Sequence, residues 1–414
     1  MYSFIEKRAC ELAPVLTRHR RNLHQIPETG WNEKETCSYI AAELRQLGYE
    51  VLLGAPVTGH ETGIIASLSC GNGPVSVLRF DIDALPTEED STHAHLPARE
   101  HFCSRNPGAM HACGHDGHIA IGLGCARIFT ELSSRLSGTI RLIFQPAEEG
   151  CKGAGAIVER GWLDDASLFL AGHIVGREYT GGGHADVIPG VNASLATTKF
   201  DAIFSGHSCH GAAPENGASV ISAMASAVLA LNGIPRHSEG ATFLNIGRIQ
   251  GGQGRNIVAD RGLIELEVRG TTTALNQYME DQAFRIIQES ARMYGCESEI
   301  QVIGRAPSLD STPALCGRIL SLCRDHLPSI QAFGTSAAFR ASEDASLMLE
   351  RTKSHGGQGA FLLFPTDTTA PLHNSSYDFD ESILPKAATV FTAAVYQFCG
   401  RKPQALSRHR SESV

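Results

Sequence analysis

Charged and apolar residues interleave along the first segment, MYSFIEKRACELAPVLTRHRR, where Glu6, Lys7, Arg8 and Glu11 fall between apolar positions. That spacing predicts an amphipathic helix and breaks up any signal-peptide core. Residues 35–48 (ETCSYIAAELRQLG) repeat the helical pattern and end on Gly48, a residue suited to closing a helix. VSVLRF (75–80) has a different character. It is short, β-branched and bounded by Gly73-Pro74 and Asp81, which predicts a buried strand. TIRLIFQP (139–146) and SLFLAGHI (167–174) are further runs of this kind, and 116–132 reads as a helix between the first two strands. The alternation is a βαβ rhythm and predicts an α/β fold with a mainly parallel sheet covered by helices.

Near residue 195 the rhythm changes. TTKFDAIFSG (197–206) alternates like a half-exposed strand, and 218–234 is helical. Residues 242–252 and 261–270 read as two strands, 275–295 as a long amphipathic helix, and 298–304 as a last strand. The order β-α-β-β-α-β is the split-βαβ, ferredoxin-like pattern, one antiparallel sheet with two helices on one face. After Pro307 the earlier style returns, with helices near 312–326, 344–353 and 382–399 and a buried strand at 359–365. The reading is therefore one α/β unit, 1–194 with 308–414, split by an inserted module at 195–307. The tail from Gly400 is polar and reads as loose.

Composition narrows the function classes. The 414 residues are 42% hydrophobic and 19% charged, which is globular rather than disordered. Lys and Arg total 35 against 44 Asp and Glu, a net charge of −9 with no basic block, so nucleic acid is a poor partner. No apolar run approaches the ~18 residues of a membrane span. Twelve scattered Cys do not form a disulfide framework, and a reducing cytoplasm is the expected setting. Cys10, Cys37, Cys70, Cys125, Cys296 and Cys323 read as small buried apolar residues.

The segment Met110-His111-Ala112-Cys113-Gly114-His115-Asp116-Gly117-His118 is dense in metal-ligand types. Alone, its C-x-H triplet reads equally well as a polar loop. The other donors change the balance. Glu148 and Glu149 follow the strand ending at Pro146, His173 lies near the end of 167–174, and His373 follows 359–365. Asp81 and Asp83 follow 75–80. Open α/β sheets bind ligands beyond the carboxyl ends of their parallel strands, so these groups are expected to converge. Cys113, His115, Glu149, His173 and His373 make five donors, too many for one tetrahedral ion with an open position but suited to two ions sharing a ligand. Glu148, beside a ligand, reads as the general base that takes a proton from activated water and returns it to the leaving nitrogen; its alternative is a solvated loop charge. Asp81 and Asp83 are expected to orient ligand imidazoles, with direct ligation less favoured.

At these residues the sequence resembles the peptidase family M20, in its amidohydrolase branch. The matching stretches are Arg21 to Glu28, Asp81 to Pro86, His111 to His118, Gln145 to Gly150, Gly172-His173, Gly251-Gly252 to Asn256, Ser342-Glu343-Asp344 and His373-Asn374. The branch includes amino-acid-conjugate hydrolases, hippurate hydrolase and the p-aminobenzoyl-glutamate hydrolase subunits, and the wording MHACGHDGH, RLIFQPAEEG and SEDA is similar to the last of these. The resemblance implies two divalent ions, manganese or zinc, with Cys113 bridging or near-bridging and His115, Glu149, His173 and His373 as the other ligands. It implies Glu148 as acid/base, and a catalytic domain with a lid domain that makes a dimer contact, either a homodimer or a pairing with a homologous second subunit. It also makes His210 the lid histidine that reaches a site across the dimer, with His207 as local rival. Asn256 and Arg269 are the other lid candidates. Arg269 could clamp a substrate carboxylate in bidentate fashion, with Arg255 as a substitute. His24 and Trp31 read as structural residues near the site.

The function that follows is metal-dependent hydrolysis of the amide of an N-acyl or N-aroyl amino acid, with p-aminobenzoyl-glutamate or a related aroyl-amino acid as the best guess. A metallo-carboxypeptidase or dipeptidase shares the same site. A non-catalytic partner subunit is the alternative of another class, and a hydrolase using Cys113 as nucleophile is a weaker one.

Overall fold

The structure, a computed structural model, describes residues 1–401. The expected loose tail otherwise lies outside the described residues. In chain order the helices are α1 (Tyr2–His24), α2 (Lys34–Gln46), α3 (Ala55–Thr58), α4 (Leu96–Arg99), α5 (His115–Leu132), α6 (Gly153–Glu159), α7 (Val220–Asn232), α8 (Thr273–Met293), α9 (Pro313–His326), α10 (Ala345–Ser354) and α11 (Ile383–Cys399). The strands are β1 (Glu50–Leu53), β2 (Ile64–Ser69), β3 (Val75–Asp81), β4 (Thr139–Gln145), β5 (Ala166–Gly176), β6 (Val191–Ala193), β7 (Ala196–Ser205), β8 (Thr242–Gly251), β9 (Arg261–Gly270), β10 (Glu297–Ala306), β11 (Ala337–Ala338) and β12 (Gln358–Thr366).

Six strands form one sheet in the order β1-β2-β4-β3-β5-β12. β4, β3, β5 and β12 run parallel, while β2 is antiparallel to β4 and β1 to β2. The central strands are apolar on both faces because helices cover both faces. Leu78 and Phe80 of β3, and Leu142 and Phe144 of β4, enter the core beneath α1, α5 and α11. Val77, Ile143 and Phe169 enter the opposite core, beneath α6 and α10. Side chains alternate along a strand, so a continuous apolar run supplies both layers.

α5 lies close on the sheet through its glycines. A Cβ at Gly122 would stand 2.7 Å from Phe80 Cδ2 and 2.8 Å from Phe144 Cε1. Overpacking of this kind costs about 1–3 kcal/mol. The Gly122→Val protein is expected to unfold at lower denaturant concentration than the parent, and an unchanged midpoint would refute the close-packing account.

A second sheet has the order β10-β7-β9-β8, every pair antiparallel. α7 and α8 cover one face and close a third core around Phe200, Phe204, Ile264 and Ile287. Where the chain leaves the first sheet and returns, two serines lock the connecting segments together. Ser308 Oγ donates to the Ser194 carbonyl at 2.7 Å, and the Leu309 N–H donates to Ser194 Oγ at 2.8 Å. The fold is thus mixed α/β, with a largely parallel sheet and a separate antiparallel one. The hairpin β1-β2, helix α6 and the small parallel pair β6-β11 add to the expected elements. Among the described residues no helix is long and apolar enough to cross a membrane.

Candidate metal centre

The carboxyl ends of β3, β4, β5 and β12 meet at one rim, and each carries a donor-bearing residue or loop. The loop 111–114 enters α5 through Gly114, whose φ of +85° is a conformation that favours glycine. That turn puts Cys113 just before the helix and His115 at its first position. His373, also at positive φ (+68°), is anchored by its N–H donating to the Ala112 carbonyl at 2.8 Å.

Cys113, His115 and His173 form one group whose ligand atoms lie within 4.8 Å of one another, and Cys113, Glu149 and His373 form a second. Cys113 is common to both, so its sulfur stands where two cations would share a ligand. The tautomers leave lone pairs available. His115 Nδ1 is 2.8 Å from the Asp83 carbonyl oxygen, which can only accept, so the proton sits on Nδ1. Its Nε2 is buried without a hydrogen-bond partner. His173 likewise commits Nδ1 to the Ile174 carbonyl at 2.6 Å and turns Nε2 to Cys113 Sγ at 3.4 Å. Glu149 Oε1 is buried and unpartnered, 3.5 Å from His373 Nε2. Orphaned buried acceptors are costly unless something fills them.

The electrostatics ask for positive charge. Burial and the nearby Glu149 and Glu148 push the Cys113 thiol well above its ordinary value. Against the cost of burial, Asp81 and Asp83 push His115 up to about 10. A cation at this rim would relieve both, so the donor set fits divalent metal ions. Soft thiolate, imidazole and carboxylate together suit zinc and its first-row neighbours.

Asp81 and Asp83 support this cluster from behind. Asp81 Oδ1 accepts from His118 Nδ1, and Oδ2 accepts from Arg79 Nη1 at 2.8 Å. His118 Nε2 accepts the Ile174 N–H at 2.9 Å, so neither His118 nitrogen is free. The apparent triplet Asp81, His115 and His118 therefore supplies one open donor, His115 Nε2. Asp83 holds His115 through its carbonyl and accepts the Glu149 N–H on Oδ2 at 3.0 Å.

Glu148 is 7% exposed. Burial, then Glu343, Glu149 and Asp344, push its carboxyl well above the ordinary range. The turn that aims it is strained, with Ala147 and Cys151 both at φ +54°. Glu33 fixes that turn by accepting the Ala147 N–H on Oε1 at 2.9 Å. A cavity of about 140 Å³ opens over these groups, lined by Cys113, Glu148, Glu149, Cys151, His173, Glu343 and His373, and by Lys199 and Arg269 from the second sheet.

The remaining sequence candidates fall elsewhere. His210 and Asn256 lie together, with the Gly211 N–H donating to the Asn256 carbonyl at 2.8 Å, but neither lines this cavity within the one chain. His24 bridges Asp116 at 2.7 Å and Glu89 at 2.9 Å behind the 111–118 loop. Trp31 lies against His60, ring centroids 3.9 Å apart and planes tilted by 32°. Cys10 is exposed, contrary to its reading as buried, because it lies on the outer face of α1. Sequence reasoning missed Arg79, Glu33 and Lys199, and named His118 within the donor segment without giving it a role. His118 carried a usable signal, lying one helical turn from His115.

Comparison with known proteins places this chain among relatives. The sequence profile described as Peptidase family M20/M25/M40 matches residues 77–397. The chain is 38% identical, over 94% of its length and 97% of the relative's, to indole-3-acetyl-aspartic acid hydrolase of Enterobacter agglomerans. It is 40% identical, over 94% of its length and 96% of the relative's, to one of the subunits of p-aminobenzoyl-glutamate hydrolase of Escherichia coli K12. A crystal structure from Bacillus subtilis, described as a dinuclear metal binding peptidase from the M20 family, superposes with a TM-score of 0.68. The identity there is 26%, covering 94% of this chain and 99% of that one.

Proposed function

The chain belongs to the peptidase family M20/M25/M40, and we propose that it is a metal-dependent amidohydrolase. It releases the amino acid from an N-aroyl or N-arylacetyl amino acid, with p-aminobenzoyl-glutamate as the leading substrate. The observation that carries this reading is the pair of donor groups sharing Cys113, with the buried Glu148 beside them in one cavity. The names of the two curated relatives support the choice of conjugate.

Cys113, His115, Glu149, His173 and His373 would hold two divalent ions, manganese or zinc. Such ions polarise an amide carbonyl and make water a nucleophile near neutral pH. Glu148 takes a proton from the attacking water on its carboxylate and delivers it to the leaving nitrogen. Asp81 and Asp83 keep the imidazoles in register. Arg269, half-buried at the cavity and paired with Glu267 through Nε and Nη2, offers Nη1 to the α-carboxylate of the amino acid.

In this reading residues 1–194 and 308–414 hold the metals, and 195–307 forms a lid and dimer surface. β8 is an edge strand, and Phe243, Ile249, Ile221 and Leu229 are exposed along this module, as a pairing surface requires. His210 and Asn256 would then complete the site of a second copy.

The test is turnover by the purified chain before and after chelation. Hydrolysis of p-aminobenzoyl-glutamate is expected to vanish with the metal and return with added manganese or zinc. Activity that survives exhaustive chelation would favour Cys113 as nucleophile. Cleavage of dipeptides in preference to hippurate and other acyl-amino acids would favour the peptidase reading, and metal-loaded chain without turnover would favour a partner subunit.

A further inference from the structure

The cavity is lined by two cations from the second sheet, whereas a simple N-acyl amino acid offers one carboxylate. β7 and β9 pair so that Lys199 faces Glu267 and Thr197 faces Arg269. Lys199 and Arg269 are therefore diagonal neighbours on one face, with roughly 7–8 Å between them. Phe200 packs into the helix-covered core, and so Lys199 lies on the opposite, open face, which meets the metal cavity.

The two cations differ in what they hold. Arg269 Nε and Nη2 are paired with Glu267 at 3.0 and 3.1 Å, leaving Nη1 free of that pair. Lys199 Nζ donates to the backbone carbonyl of Glu149 at 2.9 Å. Among the described residues this is its one hydrogen bond and it has no carboxylate within 4.0 Å, so two of its three N–H donors have no protein partner. A half-buried ammonium at a binding cavity, with N–H donors to spare, can take an anion.

We propose that Lys199 binds the side-chain carboxylate of an acidic amino acid, while Arg269 takes its α-carboxylate. The cavity then selects N-acylated glutamate or aspartate over neutral conjugates. This rests on the amidohydrolase reading and adds to it a residue that reads the side chain. The competing account is mechanical, with Lys199 only clamping the Glu149 turn. The two separate because Lys199→Gln keeps a donor for that carbonyl and removes the charge.

The experiment uses the manganese-loaded chain silenced by Glu148→Gln, titrated calorimetrically with N-benzoyl-glutamate and N-benzoyl-glutamine. These ligands differ only in a carboxylate against a carboxamide. A charge-assisted contact predicts about ten- to a hundredfold tighter binding of the glutamate conjugate. Adding Lys199→Gln is expected to remove most of that preference, weakening the glutamate conjugate far more than the glutamine conjugate. The proposal is overturned if the parent shows no preference, if the preference survives in Lys199→Gln, or if both ligands weaken equally. Turnover of N-benzoyl-glutamate by the unsubstituted chain is scored separately. Its absence refutes the hydrolase reading, and the binding ratio still decides the role of Lys199.

Discussion

Replacing Glu148 with glutamine is expected to lower kcat by about 10²–10⁴-fold, the span that a positioned general acid/base contributes. Metal content should not change. Neither of the donor groups that share Cys113 includes Glu148, so the ions keep their ligands. The substitution preserves volume in a site that is 7% exposed, and it removes the ability to carry a proton. It also takes one negative charge from the group Glu148, Glu343 and Asp344, whose oxygens lie within 4.8 Å of one another. The variant is therefore expected to be at least as stable as the parent, which separates lost chemistry from lost fold. Kinetics, metal analysis and a thermal melt on one preparation test all three points. Near-normal kcat with intact metal would remove Glu148 from the mechanism.

Cys113 and His115 were legible as a dense donor segment, and Glu149, His173 and His373 because each follows or ends an apolar run short enough to be a strand. Parallel strands bring their carboxyl ends to one rim, and that rule gathers Glu149, His173 and His373, from distant parts of the chain, beside Cys113. The ferredoxin-like order was legible for the same reason, since its elements alternate sharply in period. The edge hairpin was harder, as EVLL in β1 is four residues long with no alternation. The β6-β11 pair joins residues 191–193 to 337–338, and no local pattern reports a partner so distant. Side-chain roles failed where burial contradicts residue type. Arg79 in VSVLRF reads as a blemish in an apolar strand, and Lys199 reads as the solvent side of an alternating one. Each acquires a role only from groups contributed by other elements. His210 and Asn256 show the reverse case, in which motif position points beyond this chain's own cavity, which neither residue lines.

Arg79 should prove the most consequential buried charge for stability. Its side chain is fully buried, and it spends its donors on four partners. Nε donates to Gln145 Oε1 and Nη1 to Asp81 Oδ2, both at 2.8 Å, while Nη2 reaches Glu343 at 2.9 Å and Asp344 at 3.2 Å. One guanidinium thus ties the base of the metal centre to the segment beside Glu148. Arg79→Met leaves those carboxylates buried without their cation, and breaking such a pair costs about 3–5 kcal/mol. The penalty should depend on pH, and its sign follows from Asp344. Burial pushes that carboxyl from 3.8 up to about 8, with Arg79 opposing and Glu343 assisting. Between those values the folded chain holds a proton that the unfolded chain has released, so stability falls as pH rises through that window. Without Arg79 the folded carboxyls rise further and the fall steepens. Denaturant melts of the chelated proteins, which exclude metal linkage, should therefore show a larger deficit at pH 8 than at pH 5. A deficit below about 1 kcal/mol, equal at both pH values, would mean that Arg79 is an ordinary surface-like contact rather than the cation on which this acidic rim depends.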